Sequence, residues 1–186
     1  MNEIEQCIME IKIYGFTILD GVVSTDVANQ MRESLIRCEQ ELGTEHAHRG
    51  SARHVSNLPT LDPIFHQCID HPRTLPILEH FLDKSMILGS LNSRIVRPGD
   101  DYQKLHSDIP ATMLNMDSPV MMNTVWLLDD FSPTMGGTRV VPGSHLSGLV
   151  EPPPHFNDKH IVQPSAPAGS DIVYNGQCWH GGAAKT

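Results

Sequence analysis

Two short stretches far apart in the chain hold residues that could do chemistry together: Leu105-His106-Ser107-Asp108 and Cys178-Trp179-His180-Gly181-Gly182. On an extended strand, residues i and i+2 point to the same face, so the His106 imidazole and the Asp108 carboxylate can grip one ion. A second imidazole, from His180 on a distant strand, completes a face of two histidines and one carboxylate. Such a face leaves about three of six octahedral positions open, the arrangement non-haem Fe(II) oxygenases use to admit a co-substrate and O₂.

A His-x-Asp pair alone is weak, because 11 histidines and 22 acidic residues will produce some by chance. The flanking residues strengthen it. Met86 to Val96 reads as a strand, Pro98-Gly99-Asp100-Asp101 as a turn, and Tyr102 to Asp108 as the next strand. Around His180, Pro167-Ala168-Gly169 predicts a turn, Ser170 to Tyr174 a strand, and Asn175-Gly176 a sharp reversal. Gly181, Gly182, Ala183 and Ala184 then allow backbone to approach a ligand closely.

The elements that must position these residues follow from periodicity. Glu3 to Ile13 places Ile4, Ile8 and Ile11 on one helical face, and Phe16 to Leu19 is a short strand. Ser24 is a good N-cap for a helix whose stripe is Val27, Met31, Leu35, Cys38 and Leu42, ended by Gly43. Thr44 to Arg53 reads as a polar loop in which His46 and His48 are solvated. Asp62-Pro63 and Pro72 each look like helix starts, for short helices over about 63–70 and 73–83. From residue 86 onward strand signals recur. This fits an α+β, mainly β domain: a double-stranded β-helix, or cupin-like jelly roll, with the N-terminal helices packed on it.

Composition bounds the function. The 186 residues suit one domain spanning 1–186. A formal net charge of −9 without a basic cluster argues against a nucleic-acid partner, whose phosphates need Lys and Arg. The start Met1-Asn2-Glu3-Ile4 has no basic run leading into an apolar one, and no window reaches membrane-span length. A cytoplasmic location is the expectation. Cys7, Cys38, Cys68 and Cys178 lack Cys-x-x-Cys spacing, so free thiols are expected.

Between the two ligand segments lie Asn123-Thr124-Val125-Trp126-Leu127-Leu128-Asp129-Asp130-Phe131 and Met135-Gly136-Gly137-Thr138-Arg139-Val140-Val141-Pro142-Gly143-Ser144-His145. With His-x-Asp before them, His180-Gly181 after them, and the opening Gly15 to Ser24, the chain resembles the phytanoyl-CoA dioxygenase family over nearly its whole length. The resemblance implies Fe(II) on His106, Asp108 and His180, with 2-oxoglutarate as co-substrate and O₂ as oxidant. It implies hydroxylation of an unactivated C–H bond in a small organic substrate, with release of succinate and CO₂. It further places Gln103 and Trp126 near 2-oxoglutarate, with Thr138 a third candidate, while His145 is read as capping a turn.

One feature departs from the family. Its members carry an Arg on the strand after the last metal histidine, where a bidentate fork suits the far carboxylate of 2-oxoglutarate. Here Thr186 is six residues past His180, Lys185 is too near His180 in sequence, and Arg53, Arg94, Arg97 and Arg139 lie in other elements. Either the co-substrate grip is unusual or, the favoured expectation, the chain is truncated at its C-terminus, with His180 on a loose tail that has few backbone partners. Two alternatives stand beside this reading: a cupin-like metalloenzyme that does not use 2-oxoglutarate, and a non-catalytic binding module. The intact ligand triad speaks against the second, and Asp108 disfavours a halogenase, which needs that carboxylate position vacant.

Overall fold

A computed structural model describes residues 1–42 and 52–185. The predicted 44–53 loop, with Gly43, His46 and His48, lies outside these residues except for its last two positions. Helix α1, Glu3–Tyr14, starts on a capping box between Asn2 and Glu5 and ends on Gly15, whose φ of 84 suits glycine. Helix α2, Thr25–Leu42, starts where expected, with the Ser24 hydroxyl accepting from the Val27 amide at 3.2 Å. Its stripe buries Met31, Leu35 and Cys38, but Leu42 is exposed. Short helices follow at α3, Leu58–Leu61, and α4, Leu75–Leu82. Between them Asp62 caps a 3₁₀ turn over Pro63–Cys68.

Five short strands complete the fold: β1 Phe16–Leu19, β2 Met122–Trp126, β3 Thr138–Val140, β4 Asp171–Asn175 and β5 His180–Gly182. They form an antiparallel sheet in the order β1-β4-β2 and an antiparallel pair β3-β5. The architecture is α+β. The expected predominance of β structure is not met among the described residues, since α1 and α2 have 12 and 18 residues and no strand exceeds five.

Register divides the first sheet into two faces. Leu19, Val173, Met122 and Trp126 pack with Cys7 and Ile11 of α1 and Ile77 of α4, so this face carries the helical layer. Phe16, Ile18, Val125 and Ile172 pack on the opposite side with Leu127 and Phe131. A third cluster ties Met31, Leu35 and Cys38 of α2 to Val55, Leu58 and Phe65.

The segment 86–96, expected as a strand, is irregular apart from a bridge between Ile95 and Arg53. Its backbone pairs with 53–58 only at intervals, Ile95 with Arg53, the Ser93 amide with the Val55 carbonyl and the Leu58 amide with the Leu91 carbonyl, and side chains take the bonds between: the Ser93 hydroxyl accepts from the Val55 amide at 2.9 Å, and Asn92 Oδ1 accepts from the Asn57 amide at 3.1 Å. The 102–108 run is extended but joins its neighbour through one bridge and flanking bonds. All four cysteines are free. Among the described residues no helix is long and apolar enough to cross a membrane.

Candidate metal centre

Strand β5 lies between β3 on one side and the extended run before Asp108 on the other. The His106 amide donates to the His180 carbonyl at 3.0 Å, and the His180 amide donates back at 2.9 Å. Such a reciprocally bonded antiparallel pair sets two side chains next to each other on one face. The two imidazoles accordingly lie with ring centroids 4.7 Å apart. Two residues further on, Asp108 returns to that face while its amide bonds the Gly176 carbonyl at 2.8 Å. Gly181 makes the close approach possible, because a Cβ there would come 2.8 Å from the Gln103 carbonyl.

Backbone carbonyls set the tautomers. Nδ1 of His106 lies 2.8 Å from the Lys104 carbonyl and Nδ1 of His180 lies 2.9 Å from that of Cys178. A carbonyl can only accept, so both Nδ1 atoms carry hydrogen and the two Nε2 atoms are left to hold either a proton toward Asp108 or, in the neutral rings, a lone pair for an ion. Both Nε2 atoms aim at one carboxylate: His106 Nε2 is 3.6 Å from Asp108 Oδ1, and His180 Nε2 is 3.3 Å from Oδ2. The three ligand atoms lie within 4.8 Å of one another, a set that could hold a metal ion. Two neutral nitrogens and one carboxylate, each held by a fixed partner, suit a divalent transition metal.

The charges within the cluster are mutually adjusted. Burial opposes ionisation of Asp108, but hydrogen bonding to His106 and the two imidazoles together hold its carboxyl below the usual value. The hydrogen bond to Asp108 raises His106, whereas burial lowers the more enclosed His180.

Two further residues touch the cluster. The Asn123 side-chain amide donates to Asp108 Oδ2 at 2.8 Å, and the Tyr174 hydroxyl lies 3.4 Å from Oδ2 and 3.2 Å from His180 Nε2. Burial pushes the Tyr174 phenol well above its ordinary value, so it stays protonated. Neither was singled out from the sequence. They are cross-strand partners in the β2-β4 register, and only that pairing brings them to Asp108.

A cavity of about 940 Å³ opens beside His180 and Tyr174, with Gln103, Thr138 and Trp126 on its border. Gln103 Oε1 accepts from the Gly182 amide at 3.1 Å. Thr138 stands across from Gly182 in the β3-β5 pair. Trp126 is arranged differently. Strand alternation turns its indole to the face opposite Asn123, where it packs in the helical layer and meets the His71 ring edge-on at 5.5 Å. It borders the cavity, but its side chain is spent on packing. His145 is buried in a 3₁₀ turn over Ser144–Leu146, away from the triad.

A family model for phytanoyl-CoA dioxygenase (PhyH) matches residues 11–186. The chain belongs to the phytanoyl-CoA dioxygenase family. Dioxygenase af480 of Aspergillus fumigatus is 28% identical over 130 residues, covering 68% of this chain and 41% of that protein. The Fe(II)/2-oxoglutarate-dependent dioxygenase nvfF of Aspergillus novofumigatus is 32% identical over 141 residues, covering 70% of this chain and 45% of its own length. The chain thus spans less than half of either relative. In fold it is similar to HygX from Streptomyces hygroscopicus, solved with nickel and 2-oxoglutarate bound, with a TM-score of 0.78 at 17% identity. That likeness covers 100% of this chain and 81% of HygX. For this member of the phytanoyl-CoA dioxygenase family, the converging Nε2 atoms and the Asp108 carboxylate are the arrangement to be explained.

Proposed function

We propose that the protein is an Fe(II)- and 2-oxoglutarate-dependent dioxygenase that hydroxylates an unactivated C–H bond of a small organic substrate, releasing succinate and CO₂. One observation carries the reading: His106, Asp108 and His180 present three ligand atoms within 4.8 Å of one another, with both imidazoles fixed in the metal-binding tautomer. The family membership, the name of nvfF and the ligands of HygX support the same choice of ion and co-substrate. On this reading the two short sheets are the walls of a jelly roll, and the described elements work as one domain.

Fe(II), once bound with O₂ and the 2-oxo acid, supplies the oxidising power. The chain's own residues supply position and exclusion of water. His106 and His180 offer Nε2, Asp108 balances charge, and Asn123 and Tyr174 keep that carboxylate oriented. Gln103 and Thr138 give the cavity polar groups near Gly182, while Met31, Leu35, Phe65 and Leu128 form an apolar wall against which a substrate body can be desolvated.

The test is succinate formation from 2-oxoglutarate by the iron-loaded protein in air, alongside iron content. Succinate in step with O₂ consumption is expected, and its loss with the metal in His180→Ala. An iron-replete protein that forms no succinate, with or without a panel of small organic substrates, would refute the reading.

A further inference from the structure

The loop 109–121 starts directly after Asp108 and runs round to β2, where Asn123 bonds the Asp108 carboxylate. Within it only Ile109 is buried. Both its ends are pinned to one buried residue: the Asp108 amide donates to the Gly176 carbonyl at 2.8 Å, and the Gly176 amide donates to the Met121 carbonyl at 2.9 Å. A surface loop whose ends lie side by side keeps one shape only if its middle is also held.

Gln177, next to Gly176 and 2% exposed, holds it. Its Oε1 accepts from the Asn115 amide at 2.6 Å, and its Nε2 donates to the Asn115 carbonyl at 2.9 Å. Both backbone groups of one residue are satisfied together, as in a reciprocally bonded antiparallel pair, with a side-chain amide standing in for a peptide group. The glutamine is itself braced, since Nε2 also reaches toward the His145 carbonyl at 3.5 Å and the Gln177 backbone amide donates to Asn175 Oδ1 at 2.9 Å. Among the described residues the two bonds to Asn115 are the hydrogen bonds that tie 110–120 to the rest of the molecule, the others being internal to the loop.

We propose that Gln177 is a positioning residue for Asp108: by clasping Asn115 it holds the loop down on the buried 175–177 stretch, and so keeps the carboxylate at the loop's start aimed between His106 and His180. This rests on the metal reading above and adds to it a residue that makes no hydrogen bond to any of the three ligands. Asn123 and Tyr174 act on the carboxylate itself, whereas Gln177 acts on the backbone that carries it. Losing the clasp leaves two backbone groups of Asn115 to water and the loop held at its ends alone.

The test is Ni(II) binding to the full chain by calorimetry, as wild type, Gln177→Met and Gln177→Glu, with amide exchange followed residue by residue. Gln177→Met keeps length and burial but makes neither bond. It should weaken Ni(II) by about three- to tenfold, less than loss of a direct carboxylate partner, and speed exchange at Asn115 while leaving 171–175 unchanged. Gln177→Glu carries the signature that packing alone would not give. Protonated, the introduced carboxyl can accept from the Asn115 amide and donate to its carbonyl; ionised, it can only accept, and one oxygen then faces a carbonyl. Burial raises its pKa, as it does for Asp171. The Ni(II) affinity of this variant relative to wild type at the same pH should therefore stand near one at about pH 6 and fall several-fold by about pH 8.5. A low ratio that does not change with pH overturns the proposal. So does unchanged Ni(II) affinity in Gln177→Met, or exchange at Asn115 in the wild type as fast as at Met116, whose amide donates no bond. If Gln177→Met does not fold, the pH-dependent ratio and the wild-type exchange pattern decide. A folded wild type that binds no Ni(II) would instead overturn the metal reading.

Discussion

The two halves of the candidate metal cluster are built differently. His180 belongs to a stretch, 169–183, in which every residue is buried, and β5 is bonded along both edges. His106 and Asp108 end a stretch, 97–108, in which only Leu105 is buried, and it holds to β5 through one bridge and a few flanking bonds. The loose tail expected around His180 is therefore not found. Nearness to the last residue in sequence says little about order when the segment pairs with β3 on one side and the 103–108 run on the other. One half is a scaffold, and the other is laid against it by the ladder and by whatever ion joins them.

Removing the join has the largest expected effect. Asp108→Ala takes the only carboxylate from the cluster, and metal affinity and turnover should each fall by more than about 100-fold. Metal content after desalting and succinate formation check this. Retained stoichiometric metal would mean that the exposed half is not needed to hold it.

The scaffold half should show itself in pH dependence. Asp171 is wholly buried, accepts a hydrogen bond from Thr74 at 2.9 Å, and leaves Oδ1 without a partner, so burial pushes its pKa up to about 7. The folded protein then keeps a proton that the unfolded chain loses near the ordinary value of 3.8. Stability from this group is full below about pH 4 and declines until the pH passes about 7, by roughly 4 kcal/mol at most. Asp171→Asn should remove that decline. The measurement is the difference between the two urea-denaturation curves across the window, which cancels the opposing histidine contributions. Parallel curves would show that Asp171 ionises normally.

Prising the halves apart comes next. A Cβ at Gly181 would meet the Gln103 carbonyl at 2.8 Å and that of Lys104 at 3.1 Å, so Gly181→Ala must push the 103–108 run outward. Metal affinity should drop by about tenfold or more with little loss of thermal stability, because the displaced run buries little. A large fall in melting temperature with unchanged metal affinity would reverse the assignment of scaffold and closing half.

The smallest effect is expected at Asn123→Ala. It frees Asp108 from its 2.8 Å amide bond and should cost about tenfold in metal affinity. Amide exchange adds a direct reading of the comparison: Ni(II) should slow exchange at 103–108 and leave the already protected 176–182 nearly unchanged. Equal slowing in both would mean that both halves order together.

Local rules carried a large part of the fold. Asn2 and Glu5 cap α1 and Ser24 caps α2, because each depends on neighbours within a few residues, and Phe16 to Leu19 forms the expected short strand. The candidate ligand set was also legible as a cluster. His106 and Asp108 share a face by strand periodicity alone, and His180 stands in a segment whose small residues permit close backbone approach. The 86–96 segment was misread as a regular strand, since nothing local reveals that its backbone meets 53–58 only at intervals while the Asn92 and Ser93 side chains take two of that segment's amides.

What the sequence left open is what depends on which strands become neighbours. Asn123 and Tyr174 reach Asp108 only through the β2-β4 register, and that same register turns Trp126 away. Arg94 arrives over Gly182 from a segment remote in sequence, because a glycine there leaves room for a guanidinium. Spacing along a chain determines which side chains share a face of one element. Only the packing of elements determines which faces meet, since the burial and pairing that select it are summed over contacts distant in sequence.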